Sequence, residues 1–202
     1  MTTNETRPAL GTRFEDALLT AVRLHKDDVR KGKTTPYVAH LLGVCALVLQ
    51  DGGSEDEAIA ALLHDALEDH PESIRPEEIL RRFGEVVLEM VQSCSDTPVD
   101  FRGGEKPPWR ERKERYLAHL AHASSGARRV SLADKLYNAR ELVADVRQEG
   151  GRTWARFNAS RDDQLWYYRE VLQQMERSGQ GGLLIQAFSE TLAELVRLVN
   201  AG

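Results

Sequence analysis

Residues 60–69 read Ala-Ala-Leu-Leu-His-Asp-Ala-Leu-Glu-Asp, an apolar run that ends in four ionisable side chains. On one continuous helix, positions 64 and 68 are four apart, as are 65 and 69. His64, Asp65, Glu68 and Asp69 then share one broad face. An adjacent imidazole and carboxylate can point at a common metal ion. The two acids one turn further on can take a proton from a water whose pKa that metal has lowered. A lone His-Asp pair describes a helix end entering solvent equally well, so company decides the matter. His40 follows Thr35-Pro36-Tyr37 and is otherwise surrounded by apolar residues, while Asp134 lies between Leu132-Ala133 and Leu136. Burying that aspartate without a partner would be costly, and a metal supplies one. A core histidine or a solvated acid explains each residue alone; the four together form a metal-ligand set.

The elements that must position these groups are helices throughout, because apolar residues recur at helical spacing and strict alternation is absent. The periodicity predicts helices over about 13–29, 38–50, 55–69, 76–83, 85–93, 109–123, 127–148, 162–177 and 183–200. Gly52-Gly53 closes the second, and Ser54 with Glu57 makes a capping-box start for the third. Pro76 suits a first helical turn. Residues 96–108, with two glycines and three prolines, form the one internal loop. The expected fold is all-α, a bundle of eight or nine helices over 12–202, behind a short flexible lead over 1–11.

Composition sets the outer limits. The chain has 202 residues, 41% hydrophobic and 29% charged, which suits one domain and excludes wholesale disorder. A net charge of −5 argues against broad nucleic-acid binding. Two cysteines, Cys45 and Cys94, both in apolar contexts, fit buried thiols in a reducing compartment. No run of 18 apolar residues and no basic amphipathic stretch suggests a membrane, and the expected location is the cytoplasm. The pattern carries no signal for an oligomeric state.

The order H…HD…D, with Glu-Asp one turn after His-Asp, resembles the HD-domain metal-dependent phosphohydrolases. Residues 30–40 (Arg-Lys-Gly-Lys-Thr-Thr-Pro-Tyr-Val-Ala-His), 61–69 and 132–138 (Leu-Ala-Asp-Lys-Leu-Tyr-Asn) are similar to the hydrolase domain of RelA/SpoT-type proteins. That family removes the 3′-pyrophosphate from (p)ppGpp using manganese. The resemblance implies an HD-type helical bundle, a small nucleotide substrate, and a manganese ion on His40, His64, Asp65 and Asp134. It implies that Glu68 and Asp69 orient and activate water, that Arg30 and Lys31 line the nucleotide pocket, and that Asn138 faces the ribose or its 3′ substituent. Lys113 and Tyr167 match less regular positions near the pocket, with a paired helix face and core packing as their plainer alternatives. The residues themselves agree on two points. Arg30 and Lys31 precede a glycine-containing loop from which they can reach a diphosphate. Asn138 lies one turn beyond Asp134, on the same face.

Departures from the family pattern are Leu41 where proline is common, His70 where threonine is usual, and Ser131 where lysine often stands. They bear on base and phosphate number more than on the chemistry. Residues 97–108 and 154–158 have no counterpart in the pattern. The hydrolase helices leave no room for an alarmone-synthesising domain, so a stand-alone hydrolase is expected. The competing expectations are a hydrolase of (p)ppApp or another nucleotide, and a non-catalytic nucleotide sensor. Retention of Glu68 and Asp69 with all four ligand positions counts against the sensor.

Overall fold

The structure, a computed structural model, describes residues 9–96, 107–180 and 182–201. Most of the expected lead (1–8) and of the expected loop (97–106) therefore lies outside the described residues. The rest is helical: α1 Thr12–Leu24, α2 Val38–Gln50, α3 Glu55–Leu63, α4 Ala66–Asp69, α5 Pro76–Phe83, α6 Glu85–Cys94, α7 Trp109–Leu120, α8 Ser125–Glu149, a 3₁₀ segment Gly150–Arg156, α9 Arg161–Arg177 and α10 Leu183–Ala201. Among the described residues no strand forms. The nearest approach is an isolated antiparallel bridge from Val29 to Pro36. Among the described residues no helix is long and apolar enough to cross a membrane.

Helix α3 is the axis of the bundle. Every residue from Ala58 to Leu63 is buried, as expected of a helix that is apolar on all sides. It is enclosed by α1, α2, α6 and α8. Its start is the expected capping box, with Glu57 N–H donating to Ser54 Oγ at 3.3 Å and Ser54 N–H to Glu57 Oε2 at 2.6 Å. Helix α8 carries Leu132, Ala133, Leu136 and Ala139 into the core beside it, and α10 covers the far side of α8. Gly43 on α2 lets the Tyr137 ring of α8 lie against the α2 backbone. A Cβ there would stand 2.0 Å from the ring. That ring in turn meets the His40 imidazole edge-on at 5.0 Å between centroids.

Two expected helices are shorter than the periodicity implies. Helix α1 ends at Leu24, not 29, because beyond His25 only Val29 is apolar and it is exposed. The chain instead folds into a hairpin-like loop, with Tyr37 N–H donating to Asp28 O and Arg30 N–H to Thr35 O, both at 2.9 Å. The expected helix 55–69 is interrupted at His64–Asp65, where Asp65 takes φ −95° and ψ −7°. Helix α4 is thus a separate short turn, and the single broad face imagined for the four ionisable groups does not exist. The break still leaves all four near one recess, as the following geometry shows.

Candidate metal centre and nucleotide cleft

The four expected ligands converge from two helices and the turn after α3. His40 stands on α2, His64 and Asp65 in the turn, and Asp134 in the middle of α8. His64 Nε2 lies 3.0 Å from Asp65 Oδ2 and 3.8 Å from Asp134 Oδ1. His40 Nε2 lies 3.6 Å from Asp65 Oδ2, 3.4 Å from Asp134 Oδ1 and 3.3 Å from His64 Nε2. Donors held at about 2.1 Å by one cation stand roughly 3.0–3.5 Å apart, and three of these five distances fall in that range with the other two at 3.6 and 3.8 Å. His64 Nδ1 faces Ala61 O at 2.8 Å, so it donates there and its Nε2 lone pair points into the cluster. His40, His64 and Asp65 form a donor set that fits a divalent cation, and Asp134 Oδ1 lies beside both imidazoles.

The supports of this cluster come from further residues. Tyr37 donates its hydroxyl to Asp65 Oδ2 at 2.6 Å. Asp134 accepts from Asn138 Nδ2 and from Lys135 Nζ, both at 2.5 Å. Asn138 Oδ1 then accepts from Arg30 Nη2 at 2.5 Å, and Glu141 Oε2 receives the same guanidinium at 2.6 and 2.9 Å. Arg30, Asn138 and Asp134 therefore form one chain of hydrogen bonds from the loop to the cluster.

Electrostatics divide the site. Burial disfavours charge on His64, but the Asp65 and Asp134 carboxylates reverse this and raise it to about 9. Burial lowers His40 despite the same neighbours. Asp65 is held well below the usual carboxylate range by the two imidazoles, in spite of its burial. Asp69, on a residue exposed at the rim, is pushed up to about 7 by the desolvation of its carboxyl and by the facing Asp65 and Glu68 carboxylates. Glu68 accepts from Ser95 Oγ at 3.1 Å. An acid poised near neutrality at the rim of the cluster suits proton transfer.

These shifts fix a pH dependence for the metal-free protein. His64 has a folded value above its unfolded one, so its contribution is complete below about 6.5 and is lost as pH rises towards 9. Asp69 binds a proton more tightly folded than unfolded, so its ionisation also costs stability as pH rises through about 7. Metal binding needs the deprotonated forms and strengthens over the same range. The melting temperature of chelated protein is expected to fall between pH 6 and 9, and the upward shift given by added divalent metal to grow. Differential scanning fluorimetry at four pH values checks this; a metal-induced shift that shrinks with pH contradicts it.

The recess holding Glu68 and Asp69 opens into a cleft of about 360 Å³. Arg30, Tyr37, Lys113, Lys135, Asn138 and Tyr167 line both. The cleft places the remaining expected residues as follows. Lys31 is exposed at the mouth, with Nζ donating to Asn158 Oδ1 at 3.2 Å. Lys113 is not on the solvated face of α7, where Arg110–Glu114 and Arg115–Glu111 pair; it turns inward to Asp96 Oδ2 at 2.6 Å and over the Tyr167 ring at 4.9 Å. Tyr167 is buried, as core packing requires, yet it borders the cleft and its hydroxyl has no partner.

Several residues that the sequence did not single out complete the site. Lys135 is the buried cation on Asp134, and Asp96 anchors both Lys113 and Arg112. Arg156, in the segment without a counterpart, packs its stem where a Cβ on Gly32 would fall and pairs with Asp145 at 3.0 Å. The adjacency of Lys135 to Asp134 was the one available signal. The others are set by contacts between distant segments. The three departures are accommodated too. Leu41 is core, Ser131 is buried on the Tyr116 hydroxyl, and His70 joins His25 and Asp28.

Comparison with known proteins agrees with this geometry. Residues 17–165 match the model of the HD-domain family. A Xenopus tropicalis protein described as guanosine-3′,5′-bis(diphosphate) 3′-pyrophosphohydrolase MESH1 is 40% identical over 125 residues, 60% of this chain and 65% of that protein. Its human counterpart is 36% identical over the same share of each. The aligned part thus spans just under two thirds of these relatives. Among solved structures, one described as a metazoan ortholog of SpoT that hydrolyzes ppGpp superposes with a TM-score of 0.71. It is 26% identical and covers 93% of this chain and 97% of its own. Listeria monocytogenes lmo0812 shares the fold, with a TM-score of 0.64 at 24% identity over 76% of this chain and 96% of its own.

Proposed function

Because the chain belongs to the HD-domain family, we propose that it is a manganese-dependent hydrolase that removes the 3′-pyrophosphate of (p)ppGpp. The observation that carries this reading is the direct opening of the His/Asp cluster into a cleft bearing Arg30, Lys31, Lys33, Lys113, Lys135 and Arg156. Glu141, Asp145, Asp96 and Asp134 pair with these cations and are fewer than the six, a balance that suits a ligand with several phosphates. The activity given to the curated relatives supports the same substrate.

His40, His64, Asp65 and Asp134 hold the cation in this reading. Bound there, it lowers the pKa of a water and offsets charge on a phosphate oxygen. Glu68 and Asp69 orient the attacking water and receive its proton, Asp69 being the group whose carboxyl sits near neutrality. The water oxygen bonds to the phosphorus on ribose O3′, the bond from that phosphorus to O3′ breaks, O3′ takes up the proton received by the acid pair, and pyrophosphate leaves. Arg30, fixed by Glu141 and Asn138, and Lys31 and Lys113 neutralise the departing diphosphate. Asn138 holds Asp134 and Arg30 in register and faces the ribose. Tyr167, with Trp109 and Phe157, walls the part of the cleft that takes the base.

The test is a pair of manganese-supplemented assays with ppGpp and ppApp, measuring pyrophosphate release. Faster release from ppGpp is the expected result. Faster release from ppApp transfers the assignment to the adenosine alarmone, and no release from either defeats it.

A further inference from the structure

A second cluster of ligand-type side chains lies outside the site above. His25 ends α1, Asp28 stands in the loop after it, and His70 follows α4. Asp28 Oδ2 lies 2.9 Å from His25 Nδ1 and 2.7 Å from His70 Nε2, and those two nitrogens are 3.3 Å apart. The three atoms therefore face one point, with the oxygen at hydrogen-bond distance from both nitrogens, so a small cation entering there needs only a slight spreading of the three. Without a cation, a single carboxylate oxygen must accept both ring N–H groups while the two donors crowd each other.

The surroundings favour the ligating forms. Burial lowers His25, which is 1% exposed, and so keeps it neutral. Burial works against charge on Asp28, but the hydrogen bonds from His70 and His25 keep it ionised. His70 Nδ1, on the outer side of the ring, faces Glu72 at 3.9 Å. His25 also leaves its outer nitrogen buried and unpartnered, the pattern seen at His40. Asp28 is 38% exposed at its side chain, so water has access to complete a coordination shell.

We propose that His25, Asp28 and His70 form a second divalent-cation site of the zinc type, which ties the start of the substrate loop to the end of α4. Two imidazoles and one carboxylate, with water in the fourth place, are a donor set suited to zinc or cobalt. The site is separate from the first. Tyr37 stands between them, stacked on His25 at 4.9 Å and donating to Asp65 at 2.6 Å. The proposal does not depend on which nucleotide the cleft takes.

Cobalt serves as the probe, counted by atomic emission after gel filtration and followed by its visible absorption. Wild-type protein is expected to bind two Co²⁺ per chain, and Asp28→Asn one. Asp65→Ala keeps the second site's ion, and adding Asp28→Asn to Asp65→Ala removes that ion's absorption band. Thermal melts of the metal-free variants establish that each is folded. His70→Asn, on the other side of the cluster, gives the same loss if Asp28→Asn does not fold. A wild-type stoichiometry of one that falls to zero with Asp65→Ala overturns the site. So does an Asp28→Asn variant that binds as much cobalt as wild type.

Discussion

Asp65→Asn is expected to lower metal-dependent hydrolysis by on the order of 10³-fold or more while the chain stays folded. Losing a ligand removes several kcal/mol of charge stabilisation, and each 1.4 kcal/mol is about tenfold in rate. Asparagine keeps the volume and can still accept from the Tyr37 hydroxyl, so the turn after α3 retains its anchor. What disappears is the negative charge that raises His64 to about 9. The histidine's titration, followed by NMR in metal-free protein, is therefore expected to move down towards its ordinary range. Circular dichroism and metal content complete the measurement. A variant that keeps a tenth of the activity at saturating manganese removes Asp65 from the ligand set.

Lys135→Met is expected to destabilise the metal-free protein by about 3–5 kcal/mol, the usual result of stripping one partner from a buried ion pair. The ammonium lies 2.5 Å from Asp134, with side-chain exposures of 12% and 9%. Burial pushes Asp134 towards protonation, and Lys135 is the largest of the influences that hold it ionised. Methionine fills a comparable volume, so the loss is of charge more than of packing. The deficit is expected to shrink as pH falls and Asp134 takes up a proton, and to shrink when a divalent metal replaces the missing positive charge. Urea melts at pH 4.5 and 7.5, with and without manganese, measure all three. A deficit below about 1 kcal/mol at pH 7.5 would show that Asp134 has another source of compensation.

The convergence of His40, His64, Asp65 and Asp134 was legible because it depends on residue type against background. A histidine or an aspartate among Leu, Ala and Val declares itself without knowledge of the fold. Helix class was legible for the same reason, and the capping box at Ser54 and Glu57 fixed a boundary outright. The break at His64–Asp65 was hidden, because Ala66 and Leu67 continue the helical pattern through it. Only packing between α2, α3 and α8 shows that two ligands must leave the helix to meet two others. Lys113 looked like any lysine on a charged helix until Asp96, 17 residues earlier, turned it inward. Glu141 and Arg156 were invisible likewise, since each acts on a residue more than 100 positions away or across the Gly32 turn.

The chemistry and the ligand wall stand on different parts of the bundle. The His/Asp cluster is built on α2, α8 and the turn that leaves α3, in the most tightly enclosed layer. Trp109, Phe157 and Tyr167 belong to α7, the end of the 3₁₀ segment and α9, which meet α8 through contacts such as Tyr116 on Ser131 and Arg156 on Asp145. The division is a form of modularity. Under the proposed function, substitutions along the outer wall would retune which ring system is admitted without moving a residue of the His/Asp cluster, so selection, or a designer, could explore new nucleotides on an unchanged reaction centre.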